Sequence, residues 1–368
     1  MDTTPHQPEQ KAQFFSRKPV RISLFAGFAI ALAVLSFVLI SRSSSGESTQ
    51  GLNETDTSGI LPSAADSAAD VAASATLDTA LYDNLSTYIT NKDSSGRWPV
   101  KGPYPLPGAI LPFKRVISFY GNLYSKKMGI LGELPRNQML EKLQAEVAQW
   151  QAADSTIEAI PALHYIAITA QGSPGKGSKY RLRMPFHQID SVLSMAGEIN
   201  ALVFIDIQVG LSTLQEELPA FEKYLLMPNV HFGIDPEFSM KTGARPGSVI
   251  GTFDAADINY TTEYLAKLVK ENNLPPKMLV IHRFTRPMVT NYKQIELHPE
   301  VQIIIDMDGW GHQARKMNTY KQFVEREPVQ FTGFKLFYKN DLKEANSHVM
   351  TPTEVLSLTP QPAYIQYQ

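Results

Sequence analysis

The sequence predicts an α/β protein whose main domain is a TIM-type (β/α)8 barrel, preceded by one N-terminal transmembrane helix and a disordered tether. Three observations support this prediction. Residues 113–368 alternate short apolar runs with helical patterns, residues 22–41 form a long apolar segment, and residues 42–78 are too polar and too rich in small residues to build a core. Eight apolar runs over a segment of this length are typical of a (β/α)8 barrel.

The overall composition excludes several classes of protein. The 368 residues include 34 Lys and Arg and 36 Asp and Glu, giving a formal charge of −2. With no basic excess, a nucleic-acid partner is not expected. Hydrophobic residues make up 43% of the chain, which excludes bulk disorder. The absence of cysteine excludes disulfides, thiolate metal sites and a cysteine nucleophile.

The N-terminal apolar run, Ile22–Ile40, is about as long as a membrane-spanning helix, which needs ~20 residues. Basic residues are concentrated before the run, at Lys11, Arg17, Lys18 and Arg21. The positive-inside rule then places residues 1–21 in the cytoplasm and makes residues 22–41 a signal anchor. The domain that follows is expected to be extracytoplasmic, tethered to the cytoplasmic membrane. The alternative is a cleaved signal peptide, although the run is longer than the usual apolar region of about 7–15 residues.

The segment between the anchor and the barrel has two parts. Residues 42–78 are dominated by Ser, Ala, Thr, Asp and Gly, which predicts a flexible linker. A short amphipathic helix is expected over Leu77–Thr90. The rest of residues 79–112 is predicted to be an extended lead-in that packs on the barrel, because prolines recur at positions 99, 103, 105, 107 and 112.

The eight barrel strands are predicted from apolar runs bounded by polar or turn residues. The runs cover residues 116–121, 162–168, 202–208, 230–237, 277–284, 301–309, 331–338 and 363–368. Helical segments are expected between them. A doubly wound open sheet remains an alternative, although the first strand is not followed by the G-x-G-x-x-G turn of a dinucleotide-binding domain.

Local signals mark the starts of two of these helices. Ser212 with Gln215 predicts a capping box for the helix after the third strand, which Pro219 is expected to divide. Asp254 or Asp257 is expected to cap the helix after the fourth strand. The glycine-rich segment 172–178 does not have the spacing of a phosphate-binding loop and is interpreted as a mobile loop over the barrel mouth.

Polar residues recur on one face of almost every predicted strand. In the sixth strand, Ile303 and Ile305 alternate with Asp306 and Asp308, so the aspartates should point into the barrel while the apolar face packs on the helices. The same alternation predicts a ring of inward polar and aromatic side chains near the C-terminal ends of the strands: Tyr120, His164, Asp206, Gln208, Asp235, Glu237, His282, Phe284, Asp306, Asp308, Lys335 and Gln366. A barrel of this type carries its active site at that end. A purely structural polar core is the alternative.

Carboxylates dominate this ring, which favours acid–base chemistry. The candidate catalytic residues are Asp206, Asp235, Glu237, Asp306 and Asp308; no G-x-S-x-G elbow and no cysteine offers another nucleophile. Carboxylate pairs beside aromatic side chains suit glycoside hydrolysis. The candidate substrate-binding residues are Tyr120, His164, Gln208, His282, Phe284, Trp310, Lys335 and Gln366. The expected partner is a polysaccharide or cell-envelope glycan, and no cofactor is predicted.

The segment FGIDPE, residues 232–237, resembles the end of the fourth-strand D-x-E motif of chitinase-like glycoside hydrolases. This resemblance implies that Glu237 is the acid and Asp235 its assisting carboxylate. Where the fuller motif has a further aspartate two residues earlier, this chain has Gly233. More broadly, residues 113–368 resemble exported or surface-anchored bacterial barrel proteins of unassigned activity.

Three other functions are compatible with the same residues. A divalent-metal hydrolase or phosphodiesterase would use mixed nitrogen and oxygen ligands, namely His164, Asp206, Glu237, His282 and Asp306, although no H-x-H or H-E-x-x-H spacing supports it. A Schiff-base lyase would use Lys335, for which a salt bridge to the acidic sixth strand is the simpler explanation. A barrel that binds a glycan without cleaving it is the third alternative.

Overall fold

The computed structural model describes residues 76–368. Its strands are β1 (Lys114–Gly121), β2 (Glu158–Ala170), β3 (Arg181–Arg183), β4 (Leu202–Ile207), β5 (Val230–Ile234), β6 (Phe253–Asp254), β7 (Lys277–Arg283), β8 (Val289–Thr290), β9 (Val301–Met307), β10 (Phe331–Leu336) and β11 (Tyr364–Tyr367). Its α-helices are α1 (Thr79–Ile89), α2 (Ile130–Glu133), α3 (Arg136–Ala153), α4 (Phe186–Glu198), α5 (Leu214–Glu217), α6 (Glu222–Leu225), α7 (Ala255–Asn272), α8 (Gln313–Tyr320) and α9 (Pro352–Leu356).

Eight parallel strands close into a barrel, in the order β1-β2-β4-β5-β7-β9-β10-β11, and β11 pairs back with β1. Each of these strands corresponds to one predicted apolar run, so the (β/α)8 prediction is confirmed and the open sheet is excluded. The closed barrel leaves none of its eight strands with an unpaired edge.

The two faces of each strand pack in different layers, as the alternation predicts. Val203, Ile205 and Ile207 of β4 pack in the layer between the strands and the helices, whereas Phe204 lies in the barrel interior. The same separation holds on β9, where Ile303 belongs to the outer layer and Ile304 to the interior. The polar residues that share the inward face are therefore held inside the barrel.

The N-terminal end of the barrel is covered by the lead-in segment. The expected helix is present as α1, with the side chain of Asp78 accepting a hydrogen bond from the backbone of Leu81 at 2.9 Å. Further along, the side chain of Gln302 accepts hydrogen bonds from the backbone N–H groups of Ile110 (3.0 Å) and Leu111 (3.1 Å) and donates one to Leu111 O (2.6 Å). The lead-in thus closes the end of the barrel opposite the predicted mouth.

Several local predictions were wrong or incomplete. Thr213, not Ser212, caps α5, because its side chain accepts from the backbone N–H of Glu216; the Ser212 hydroxyl instead donates to the carboxylates of Glu216 and Glu217. Between β7 and β9 the described chain has only 3-10 turns and the short strand β8 in place of an α-helix. Asp254 does cap α7, with Asp257 completing a capping box.

The segment predicted as a mobile loop is the tip of a hairpin that β2 forms with the antiparallel strand β3. The hairpin was not predicted from the sequence. It is fastened to α5, because the carboxylate of Glu217 accepts hydrogen bonds from Arg181 (2.8 Å) and Arg183 (2.6 Å).

The predicted cytoplasmic segment 1–21, the predicted anchor 22–41 and residues 42–75 of the predicted linker lie outside the described residues. Within residues 76–368, no helix has both the length and the apolar character needed to cross a membrane.

Candidate active site at the barrel mouth

The predicted inward side chains meet at the C-terminal end of the barrel, where seven of its eight strands contribute to one hydrogen-bonded and ionic cluster. The strands are β1, β2, β4, β7, β9, β10 and β11, and the segment just after β5 adds Asp235 and Glu237. The cluster contains Tyr120, His164, Asp206, Gln208, Asp235, Glu237, His282, Asp306, Asp308, Lys335 and Gln366. Most of these side chains are buried beneath the mouth rather than exposed on it.

His282 lies at the centre of the cluster, between aspartates from two strands. Its Nε2 atom lies 3.2 Å from Asp206 Oδ2, and its Nδ1 atom lies 3.3 Å from Asp306 Oδ2 and 3.4 Å from Asp308 Oδ2. Burial lowers the pKa of His282, but the surrounding aspartates outweigh burial and raise it well above its usual value. The aspartates around His282 therefore favour the protonated form of this buried imidazole.

Asp206 is the carboxylate that this imidazolium stabilises most directly. Burial raises the pKa of Asp206, but the charge of His282, the contact with His282 and the nearby His164 lower it far below its usual value. The opposite holds for Asp306, whose pKa is raised by burial despite the contact with His282. Two aspartates on either side of one histidine thus differ in their proton affinity because their other neighbours differ.

His164 is held in one orientation by residues of β4 and β11. Its ring stacks on Phe204 with the centroids 5.1 Å apart and an interplanar angle of 8°. Its Nδ1 atom lies 2.6 Å from the Tyr364 hydroxyl and 3.1 Å from Gln366 Nε2. Burial lowers the pKa of His164 to about 4, so this histidine is neutral.

Lys335 supplies the second cation of the cluster. Its ammonium group lies 3.0 Å from Asp308 Oδ1 and 3.8 Å from the centroid of the Tyr120 ring. This contact confirms the predicted salt bridge between Lys335 and the acidic sixth barrel strand. An ammonium group that is paired in this way is not free to act as a nucleophile.

Asp235 and Glu237 form a separate acidic pair at the edge of the cluster. Asp235 caps the short 3-10 helix Pro236–Phe238, with Oδ1 accepting from the backbone N–H of Glu237 at 3.1 Å, while Gln208 donates to Oδ2 at 3.2 Å. Burial raises the pKa of Asp235 to about 7 despite the charge of His282. Burial, together with the charges of Asp235 and Asp308, raises the pKa of Glu237 to about 8. Glu237 is only partly buried, so it combines a raised pKa with some exposure to solvent.

Two glycines make room for the interior aspartates. Gly233 lies opposite Asp206 in the β4–β5 register, and Gly333 lies opposite Asp306 in the β9–β10 register. A Cβ atom at Gly233 would lie 2.6 Å from His164 Nε2 and 3.1 Å from Asp206 Oδ1, and one at Gly333 would lie 2.6 Å from Asp306 Oδ1. Gly233 stands where the chitinase-like motif has an aspartate. A side chain at this position would clash with His164 of β2 and Asp206 of β4.

The predicted aromatic residues separate into two groups. Tyr120 is part of the buried cluster, beneath Lys335. Phe284 and Trp310 lie after β7 and β9 and are both partly exposed; the indole of Trp310 lies 5.1 Å from the ammonium group of Lys343. These two residues belong to the rim rather than to the ionic cluster.

One functional neighbour, Tyr364, was not predicted. Its hydroxyl group contacts both His164 and Gln366, so it orients the histidine. The two-residue period of a strand could have predicted it, because Tyr364 is two residues before Gln366 and therefore shares its inward face.

Comparison with known proteins gives a fold relationship. No protein-family model matches the chain, and no curated protein matches it significantly. Similar solved structures include the cellulase Cel5C_n, with 12% identity over 60% of this chain and 65% of that chain and a TM-score of 0.36. Others are a hyperthermophilic endo-β-1,4-glucanase in complex with substrate (10% identity, 57% and 77% coverage, TM-score 0.31) and a ruminal GH26 endo-β-1,4-mannanase (11% identity, 69% and 59% coverage, TM-score 0.32).

These solved structures are glycoside hydrolases, and the barrel fold of this chain is shown by its own closed sheet of eight parallel strands. The matched region spans less than two thirds of the cellulase and of the mannanase. At these identities and TM-scores the similarity concerns the fold alone, and the assignment of the site depends on its own geometry.

Proposed function

We propose that this barrel is a carbohydrate-active hydrolase in which Glu237 is the general acid. The observation that carries the proposal is the contrast among the carboxyl groups of one cluster. The partly exposed Glu237 has a pKa raised to about 8, whereas the pKa of the buried Asp206 is far below its usual value. Carboxyl groups whose environments separate their pKa values in this way are the usual mark of an acid paired with an ionised partner.

In the proposed reaction, Glu237 donates its proton to the glycosidic oxygen as the bond from that oxygen to the sugar carbon breaks. A water molecule supplies the hydroxyl group that bonds to the sugar carbon, and its other proton restores the acid form of Glu237, directly or through solvent. Asp235 holds the backbone of Glu237 in place through its hydrogen bond to the Glu237 N–H. Asp308, paired with Lys335 at the mouth, is the carboxylate proposed to face the developing positive charge on the sugar ring. Phe284 and Trp310 at the rim are the proposed apolar surfaces for sugar rings, which present C–H groups to aromatic faces.

The test begins with a screen of the full-length protein against labelled polysaccharides and cell-envelope glycans. Glu237→Gln keeps the shape of the side chain and removes the transferable proton, so turnover of a cleaved glycan should fall by ~10²–10⁴-fold. Glu198→Gln, at an exposed glutamate on α4 that pairs with Arg136, is the matched control and should retain full turnover. Equal rates for the Glu237 variant and the wild type would remove Glu237 from the mechanism. Tight glycan binding with no turnover would instead identify a non-catalytic glycan-binding barrel.

We also propose that the barrel is tethered outside the cytoplasmic membrane. The proposal rests on the apolar run Ile22–Ile40 and the basic residues before it, which lie outside the described residues. Added protease should digest the barrel in intact spheroplasts. Protection of the barrel until the membrane is lysed would contradict this orientation, and a mature N-terminus beyond residue 41 would show cleavage.

A further inference from the structure

We infer that His164, Asp206 and His282 form a binding site for one divalent transition-metal ion beneath the mouth of the barrel. The three side chains come from β2, β4 and β7 and are fully buried. One ligand atom from each lies within 4.8 Å of the others. This inference does not depend on the proposed glycan chemistry, because the three residues are separate from Glu237 and the test below measures no turnover.

The distances suit a small tetrahedral ion. Ligand atoms about 2.0–2.1 Å from such an ion lie roughly 3.3 Å from one another. The separations from Asp206 Oδ2 are 3.2 Å to His282 Nε2 and 3.6 Å to His164 Nε2. Two of the three separations between ligand atoms therefore lie near the value for a tetrahedral ion, and the third is within 4.8 Å.

Buried atoms without a partner point to the same place. Among residues 76–368, His164 Nε2 and Asp206 Oδ1 are buried and have no hydrogen-bond partner. Both lie next to the Cα atom of Gly233, where a Cβ atom would contact them at 2.6 and 3.1 Å. Buried polar atoms are normally satisfied, so these two require a ligand or ordered water. With no side chain at position 233, nothing from β5 comes between these two atoms and an ion.

The neighbouring residues orient the two histidines as metal ligands. His282 Nδ1 lies 3.3 Å from Asp306 Oδ2 and 3.4 Å from Asp308 Oδ2. It forms no hydrogen bond with them in the described residues, but a proton on Nδ1 would face these carboxylates and leave Nε2 for the ion. His164 Nδ1 lies 2.6 Å from the Tyr364 hydroxyl and 3.1 Å from the Gln366 amide nitrogen. In the tautomer with its proton on Nδ1, His164 donates to the Tyr364 oxygen and Nε2 keeps a free lone pair. A histidine ligand that donates its other N–H to an oxygen is the usual second-shell arrangement at metal sites. Binding displaces the Nε2 proton of His282 to solvent.

The donor set selects the class of metal. Two imidazoles and one carboxylate suit Zn²⁺, Co²⁺ or Fe²⁺, whereas Mg²⁺ and Ca²⁺ favour sites made of oxygen atoms. The local charge also favours a cation. Both carboxylate oxygens of Asp306 are buried without a hydrogen-bond partner among the described residues, and Lys335 is paired with Asp308. A divalent ion would offset this excess of buried negative charge.

The experiment uses the full chain, purified in mild detergent, stripped with a chelator and dialysed against Zn²⁺. We expect about one zinc ion retained per chain. Affinity should fall at least ~10-fold in His164→Gln and Asp206→Asn, which remove ligands. Gly233→Ala should have the same effect because it fills the space beside them. His348→Gln is the control, because it removes an exposed histidine–glutamate pair and leaves the buried site intact. Circular dichroism checks the folding of every variant.

Co²⁺ provides a second measurement that does not depend on the variants folding. A buried four-coordinate Co²⁺ ion absorbs visible light strongly, whereas Co²⁺ bound at the surface stays hydrated, six-coordinate and nearly colourless. The inference is overturned if the wild type retains no stoichiometric zinc and shows no strong cobalt absorption. It is also overturned if folded His164→Gln and Asp206→Asn proteins retain zinc as tightly as the wild type, which would place the ion elsewhere in the chain.

Discussion

The ammonium group of Lys335 lies 3.0 Å from Asp308 Oδ1, and the two side chains are only 3% and 9% exposed. Lys335→Met should therefore leave a nearly buried carboxylate without its cation. Breaking a buried pair from one side typically costs ~3–5 kcal/mol, and we expect a loss of that size in the free energy of unfolding measured with urea.

The matched control is Lys339→Met. Lys339 follows the same strand and pairs with Glu133, but its side chain is 69% exposed, so the loss should stay below ~1 kcal/mol. Equal losses for the two variants would mean that the Lys335–Asp308 pair is not the buried contact described above.

Gly333 is expected to tolerate no side chain, because a methyl group would lie 2.6 Å from Asp306 Oδ1 and 3.1 Å from the Asp306 Cβ atom. Gly333→Ala should destabilise the barrel by ~1–3 kcal/mol through overpacking. Gly197→Ala on α4 meets no atom within 4 Å and should be neutral or stabilising by up to ~1 kcal/mol, because alanine favours a helix. Thermal unfolding of the two single variants makes the comparison. A stable Gly333→Ala protein would show that β9 and β10 are further apart than described.

Gln302 is expected to hold the lead-in on the N-terminal end of the barrel. Gln302→Met removes three hydrogen bonds to Ile110 and Leu111 while keeping a side chain of similar length. Each buried polar group left without a partner costs ~1–3 kcal/mol, so the loss in unfolding free energy should exceed ~2 kcal/mol. Limited proteolysis should also cut residues 91–113 faster. Gln322→Met, which loses only an exposed bond to Asn318, should change neither quantity.

The raised pKa of Glu237, about 8, predicts a pH dependence of stability that requires no substrate. The folded protein holds this proton more tightly than the unfolded chain, where the pKa is about 4.5. The stabilisation is therefore complete below about pH 4.5 and is lost as the pH rises through about 8. Glu237→Gln should flatten this decline in the unfolding free energy, and Glu198→Gln should not. A decline that is identical in the Glu237 variant and the wild type would show that Glu237 titrates normally.

The raised pKa of Glu237 also predicts how the rate of any hydrolysis changes at alkaline pH. A general acid must be protonated to act, so kcat/KM should fall as the pH rises above about 8. A rate profile with no fall up to pH ~10 would exclude Glu237 as the acid, since ordinary carboxyl groups and this one would all be ionised there.

Local sequence pattern was sufficient to identify the strands and their inward faces. The two-residue period of a strand follows from its covalent geometry, so Asp206, Asp306 and Lys335 were assigned to the interior without knowledge of their neighbours. The inward position of Tyr364 could have been predicted by the same reasoning from Gln366. A salt bridge from Lys335 to an aspartate of the sixth predicted strand, Asp306 or Asp308, was also predicted from the inward position of these side chains, and the structure pairs Lys335 with Asp308.

Other features depended on contacts between distant parts of the chain, which only the tertiary structure decides. The position of His282 between Asp206, Asp306 of β9 and Asp308 just after β9 is set by the closure and register of the barrel, and no local spacing encodes it. The hairpin of β2 and β3 depends on Glu217, more than thirty residues away along the chain, as its anchor for Arg181 and Arg183. The proton affinities likewise follow from burial and from charges on neighbouring strands, which the order of residues alone does not specify.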